Sequence, residues 1–250
     1  MAPGPRIALV TGANRGIGLE VVRQLAARGD TVVLGARDLD AGRRAAGGLG
    51  DLPGEVRPRR LDVTDAGTLD AVAAELSDAE GHLDVLVNNA AIHYDTWQQA
   101  ANADLAVVAE ALDTNLLGAW RCVEAFLPLL RASGHGRIVD VSSEGGSLAS
   151  MGGGIPAYRA SKAALNALTR MLAAELRADG VLVTACAPAG WRPTWAVRAV
   201  GRWGRARRAC SGPRTCPTAA PPAASSATAG PSRSEAPQRT GNGTVSPRPT

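Results

Sequence analysis

Apolar positions along this chain fall into two alternating rhythms. Short β-branched runs bounded by turn residues recur in RIALVTG, TVVLGAR, VRPRRLDV, LDVLVNNA, GRIVDVSS and VLVTACAP. Between them lie longer stretches with apolar residues at helical spacing: GLEVVRQLAARG, AGTLDAVAAELSDA, DLAVVAEALDTNLLGAWRCVEAFLPLLRAS and AYRASKAALNALTRMLAAELRADG. Strands that alternate with helices build βαβ units, and a parallel sheet made from such units is covered on both faces. The pattern therefore predicts an α/β domain over residues 1–186, a doubly wound parallel sheet in three αβα layers.

Both rhythms stop after Pro188. From Trp191 onward the only large apolar side chains are three Val and three Trp, and ten Arg stand against one acid, Glu235. Residues 187–250 read as a low-complexity, disordered tail, which leaves the sheet without its final strand. The charge follows the same boundary. The chain carries +4 overall, while residues 1–190 alone carry −5. Basic character thus belongs to the tail, and nucleic acid is not the expected partner of the folded part: the tail has no Lys and no fold signature.

The N-terminal segment MAPGPRIALVTG lacks the charged and apolar regions of a secretory signal, and no apolar run is long enough to span a bilayer, so a cytoplasmic protein is expected. Cys122, Cys186, Cys210 and Cys216 show no C-x-x-C pairing and read as reduced thiols, with no metal site. His82, His93 and His135 have no ligand spacing either and are expected to be solvated. Trp97 and Trp120 carry no assignable role.

Candidate chemistry begins at TGANRGIG, Thr11 to Gly18, which follows the first strand run and opens the first helix. Glycines at Gly12, Gly16 and Gly18 permit a tight turn and close backbone approach. With Asn14, Arg15 and Ile17 they would place a pyrophosphate on the N–H groups of the helix terminus, as in a Rossmann-type dinucleotide site. The second strand run ends in LGARD. Enzymes that prefer NAD place an acid there for the ribose 2′-hydroxyl, whereas Arg37, together with Arg15, suits a 2′-phosphate. NADP(H) is favoured over NAD(H).

YRASK sets Tyr158 and Lys162 at i and i+4 on one helix face. Lys162 is the only lysine of the chain, and Tyr94 and Tyr158 are the only tyrosines. An isolated phenol titrates at about 10, and an adjacent ammonium and the positive nicotinamide are expected to favour the phenolate and lower that value. The pair would serve both the proton transfer and the cofactor ribose; a surface Tyr and Lys on an amphipathic helix is the plainer alternative.

TGANRGIG, LDVTD, NNAA, TNLLG, VSS and YRASK, in that order from Arg6 to about Ala185, resemble the classical short-chain dehydrogenases/reductases. SSEGGSLASMGGGIPAYRASKAALNALTR looks most like the carbonyl-reductase-like branch. The resemblance implies an oxidoreductase that moves hydride between nicotinamide and a carbonyl or alcohol of a small-molecule substrate. It further implies that Ser143 donates a hydrogen bond to the carbonyl, that Tyr158 exchanges the hydroxyl proton, and that Lys162 holds the ribose. Asn115 would anchor a proton-supplying water chain, Asp62 and Val63 would flank the adenine, and Asn89 and Ala90 would line the coenzyme. Taken singly, Asn115 and Ser143 suit capping residues equally well. The family forms monomers, dimers or tetramers. One departure is NNAA, where the family has Gly at the position of Ala91.

The resemblance also explains the tail. CAPAGWRPTWAV, Cys186 to Val197, can be encoded so that a reading frame displaced by one base gives VCPGWVATDMGG, the turn and substrate loop of the family. The same displacement lets Cys210 to Gly230 read VLWAADLPDGGPTGGFFRDGR. A one-nucleotide deletion between Thr184 and Cys186, in the gene or its reading, is the expectation. As written, the chain would lose its substrate loop and last strand, with weak stability and little turnover; a non-catalytic dinucleotide-binding remnant is the alternative function.

Overall fold

The structure is a computed structural model and describes residues 5–188. The elements run β1 (Ile7–Val10), α1 (Gly16–Ala26), β2 (Thr31–Ala36), α2 (Leu39–Gly47), β3 (Val56–Arg60), α3 (Ala66–Ala79), β4 (Val85–Asn88), α4 (Leu105–Leu112), α5 (Gly118–Ala132), β5 (Arg137–Val141), α6 (Pro156–Glu175) and β6 (Leu182–Cys186). The strands form one six-stranded parallel sheet in the order β3-β2-β1-β4-β5-β6. This is the doubly wound α/β architecture that the alternating runs predict.

Strand β1 shows why the sheet is covered on both sides. Successive side chains leave a strand in opposite directions, so Leu9 joins one apolar cluster, with Leu86, Phe126, Ile138 and Leu165, and Ala8 and Val10 join the other, with Val22, Leu25, Leu34 and Val87. Helices α3, α5 and α6 cover the first face and α1 the second. Pro58 lies in β3 at the sheet edge, opposite Leu34, where its missing N–H interrupts no second ladder.

Two elements differ from the expectation. Helix α2, LDAGRRAAG, is short and has Leu39 as its one large apolar side chain; it is started by Asp38, whose carboxylate accepts the N–H groups of Asp40 and Ala41. The single helical stretch expected from Asp104 to Ser133 is two helices joined by a π-helical turn at Asp113–Leu117. Such turns insert a residue without breaking the apolar spacing, and they commonly serve functional sites. Here the turn carries Asn115.

The tail expected over 187–250 and the lost final strand fall on residues outside those described, apart from Ala187 and Pro188. No helix among the described residues is long and apolar enough to cross a membrane.

Candidate active site

The strand order reverses between β1 and β4, and a crevice opens there at the carboxyl ends of the strands. It is a cavity of about 490 Å³ walled by the loops after β1, β2, β3 and β4. Gly12, Asn14, Arg15, Gly16 and Ile17 line one side, Arg37, Asp62 and Val63 a second, and Asn89 and Ala90 a third. Gly12 holds φ +61°, and a Cβ there would lie 2.8 Å from Ala90 Cα, so the two loops approach each other only because this residue is glycine. Thr11 and Asn89 fasten them together. The Thr11 hydroxyl accepts the N–H groups of Asn89 and Ala90, each at 3.0 Å, and Asn89 Nδ2 donates to the carbonyls of Thr11 and Gly12 at 2.9 and 3.0 Å.

Helix α1 points its N-terminus into this cavity. Its cap residue, Arg15, makes no side-chain cap, and the first turn holds no acid, so the terminal N–H groups and the positive end of the helix dipole stay available to an anion. Gly18, the last glycine of the motif, lies at a close approach of α1 to the loops, where a Cβ would meet Asn89 Nδ2 at 2.5 Å and Ala13 Cα at 2.9 Å. Its work is to let α1 pack against the loops. Ala91, which replaces the family's Gly, lines the cavity at a negative φ and is accommodated without strain.

The expected catalytic side chains gather where β5 ends against α6. Ser143 Oγ accepts the Gly145 N–H at 3.1 Å and stands close enough to the Tyr158 phenol to favour its ionised form. Lys162, one turn along α6, is 2% exposed; its Nζ donates to the Val141 carbonyl at 2.7 Å and lies 5.8 Å from the centre of the Tyr158 ring. Asn115 is 1% exposed. Its Oδ1 accepts the Ile92 N–H at 2.8 Å, and its Nδ2 donates to Ile92 O at 3.1 Å and to Ser161 Oγ at 3.0 Å. The Asn115 side chain is thus committed to joining the loop after β4 to α6. Tyr158 and Lys162 were also expected on the cofactor surface, but neither belongs to the walls of the described cavity. They sit on α6, with Lys162 drawn inward to β5.

The Tyr158 pKa is raised, chiefly by burial and further by Tyr94, while the hydrogen bond with Ser143 opposes the rise. Lys162 is not among the groups that move it, because its ammonium is turned to the Val141 carbonyl. Burial instead pulls Lys162 itself down to about 8, against the field of Asp140. Asp140, held by Asn88 Nδ2 at 2.9 Å and Thr169 Oγ1 at 2.7 Å, is in turn pushed up by burial.

A family model described as short chain dehydrogenase matches residues 6–203. The chain belongs to that family. The match runs past Ala185, where the motif-by-motif likeness ends. Galactitol 2-dehydrogenase (L-tagatose-forming) of Cereibacter sphaeroides is 39% identical over 182 residues, 72% of this chain and 69% of that protein. (+)-Neomenthol dehydrogenase of Arabidopsis thaliana is 37% identical over 165 residues, 58% of this chain and 55% of its own length, so the likeness spans about half of that relative. Among solved structures, a metagenomic short-chain oxidoreductase in complex with NADP is 32% identical, with a TM-score of 0.70 over 80% of this chain and 90% of that one.

Within this short-chain dehydrogenase, several side chains that shape the site went unread in the sequence. Thr11, Ser161 and Asp140 look like ordinary small or acidic residues in their segments, and only the packing of β1, β4 and β5 against α6 shows what each holds. The histidines are partly or largely exposed, as expected, and each stands beside a carboxylate: His93 Nε2 lies 2.7 Å from Glu110, and His82 and His135 flank Asp84 at 3.5 and 3.2 Å. No cluster of metal-binding type is present among the described residues.

Proposed function

We propose that this short-chain dehydrogenase is an NADP(H)-dependent oxidoreductase that transfers hydride between the nicotinamide and a carbonyl or alcohol substrate. The arrangement of Ser143 on Tyr158, with Lys162 behind, beside a dinucleotide-sized crevice at the strand ends carries this reading. The cofactor, when bound, supplies or receives hydride at the nicotinamide. Ser143 takes its hydrogen bond from Gly145 as an acceptor, which leaves its own proton for the substrate oxygen. Tyr158, with its raised pKa, is protonated at neutral pH and can deliver its proton to the oxygen of a carbonyl that accepts hydride, which completes the alcohol.

Arg15 and Arg37 support the preference for NADP(H). Both line the cavity, and neither is paired with a described carboxylate. Asp38, the acid that could have received a ribose hydroxyl, is occupied as the cap of α2. The NADP complex of the metagenomic relative agrees with this. The names of the two curated relatives point to secondary alcohols and ketones as the substrate class. On the same reading the enzyme is carbonyl-reductase-like and cytoplasmic.

The test is oxidation of NADPH and NADH by the full chain with a panel of ketones. NADPH is expected to be the better donor, and Arg37→Ala is expected to raise its KM by about tenfold while changing NADH little. Equal use of both donors, unchanged by Arg37→Ala, would overturn the preference. Tight NADPH binding with no turnover on any ketone would favour the non-catalytic remnant.

A further inference from the structure

Helix α6 carries Tyr158 and Lys162, yet its own N-terminus has no local cap. Ile155, at the cap position, is in the left-handed region at φ 44° and provides no side-chain acceptor, and Pro156 follows it. The first N–H groups that need a partner are those of Ala157 and Tyr158. One carboxylate from the loop after β4 takes both: Ala157 N–H donates to Asp95 Oδ2 at 3.0 Å and Tyr158 N–H to Asp95 Oδ1 at 3.1 Å.

Asp95 is 0% exposed and has no ion pair among the described residues. A buried carboxylate is costly unless it is hydrogen bonded. Two helix N–H groups and the positive end of the α6 dipole meet that demand. Its orientation is set in turn by the buried Gln98, which donates Nε2 to Asp95 Oδ2 at 3.2 Å and accepts, on Oε1, the N–H of Asp104 at 2.6 Å. Asp104 is the cap of α4, so the carboxylate is fixed from a second helix. The preceding residue, Tyr94, sets its ring edge-on to the Tyr158 ring, with centroids 5.3 Å apart and planes at 71°. Adjacent residues of one loop therefore grip Tyr158 by its ring and by its main chain.

We infer that Asp95 is a positioning residue for Tyr158: by holding the first turn of α6 it keeps the phenol on Ser143. The catalytic consequence rests on the proposed oxidoreductase function; the clamp itself does not. A displacement of even about 1 Å at a proton donor can reduce turnover by about a hundredfold.

The test uses Asp95→Ala and Asp95→Asn in the full chain. Asparagine keeps one acceptor oxygen and should rescue part of the loss. Amide hydrogen exchange at Ala157 and Tyr158 is expected to accelerate by about tenfold or more in Asp95→Ala, and less in Asp95→Asn, while amides later in α6 keep their protection. Turnover of a ketone should fall by about tenfold or more, with the KM for NADPH held within about threefold. Unchanged exchange and turnover in a folded variant would overturn the inference. So would a loss of protection along all of α6 with a matching loss of NADPH affinity, since that is general destabilisation. If Asp95→Ala does not fold, Asp95→Asn carries both readouts. If the unmodified chain turns over no ketone, the proposed function fails, and the exchange at Ala157 and Tyr158 still decides the clamp.

Discussion

Because Lys162 is the only lysine, a single side-chain signal reports its proton. Burial pulls it from 10.5 to about 8 in the folded protein. A displacement of that size corresponds to about 3 kcal/mol of cost to the folded state wherever both folded and unfolded lysine are charged. Between the two values the unfolded chain binds the extra proton, so stability rises with pH through that window and the cost is gone above it. Cys122 and Cys186 act the other way. Burial pushes both thiols from 9.0 to about 12, so the folded state holds the extra proton above pH 9 and stability falls there. From pH 8 to 9 the lysine contributes a gain of about 1 kcal/mol, which the two thiols, already ionising in the unfolded chain, largely offset, so the difference from Lys162→Met isolates the lysine. The assay is an NMR titration of the lysine Cε in cofactor-free, 13C-lysine-labelled full chain, paired with urea melts at each pH. Lys162→Met should remove the gain, and Asp140→Asn should move the titration lower still, because the Asp140 field holds the proton on. A midpoint near 10, with the same pH dependence of stability in the unmodified chain and in Lys162→Met from pH 8 to 9, would refute burial as the governing effect.

Tyr158→Phe removes the proton donor and is expected to lower kcat by about 10²–10⁴-fold with NADPH affinity retained; Ser143→Ala should lower kcat by about 10²-fold. Stopped-flow turnover beside NADPH titration checks both, and retained turnover in Tyr158→Phe would remove that residue from the chemistry. Gly12→Ala introduces a Cβ at φ +61° and 2.8 Å from Ala90 Cα, so it should cost about 1–3 kcal/mol in a denaturant melt and weaken NADPH binding. Reading the gene across the codons for Thr184 to Cys186 should show a one-base loss; a verified sequence whose alternative frame holds early stops would dispose of the frame change.

Legibility in the sequence followed locality. Strands β1, β2, β4, β5 and β6 stand out because each is a β-branched run between turn residues. Helix α2 does not, because it is short, has one large apolar side chain and is started by the Asp38 carboxylate. The π-turn at Asp113–Leu117 is invisible for the opposite reason: the apolar spacing continues through it. The same division holds in the site. Gly12, Arg15 and Arg37 are legible because a loop after a strand and before a helix has one place to be. Gly18 belongs to the same motif, yet its contact with Asn89 comes from β4 and carries no local signal.

Tyr158 and Lys162 show where locality misleads. Their spacing puts them on one helix face, which suggests that the ammonium lowers the phenol. The third partner, the Val141 carbonyl, comes from β5 and turns Nζ inward. Burial then raises Tyr158 and depresses Lys162, so the two values move apart, with the phenol the weaker acid of the two. A phenol that stays protonated at neutral pH holds the proton that a carbonyl oxygen needs as it accepts hydride, and the developing alkoxide is a base strong enough to take it.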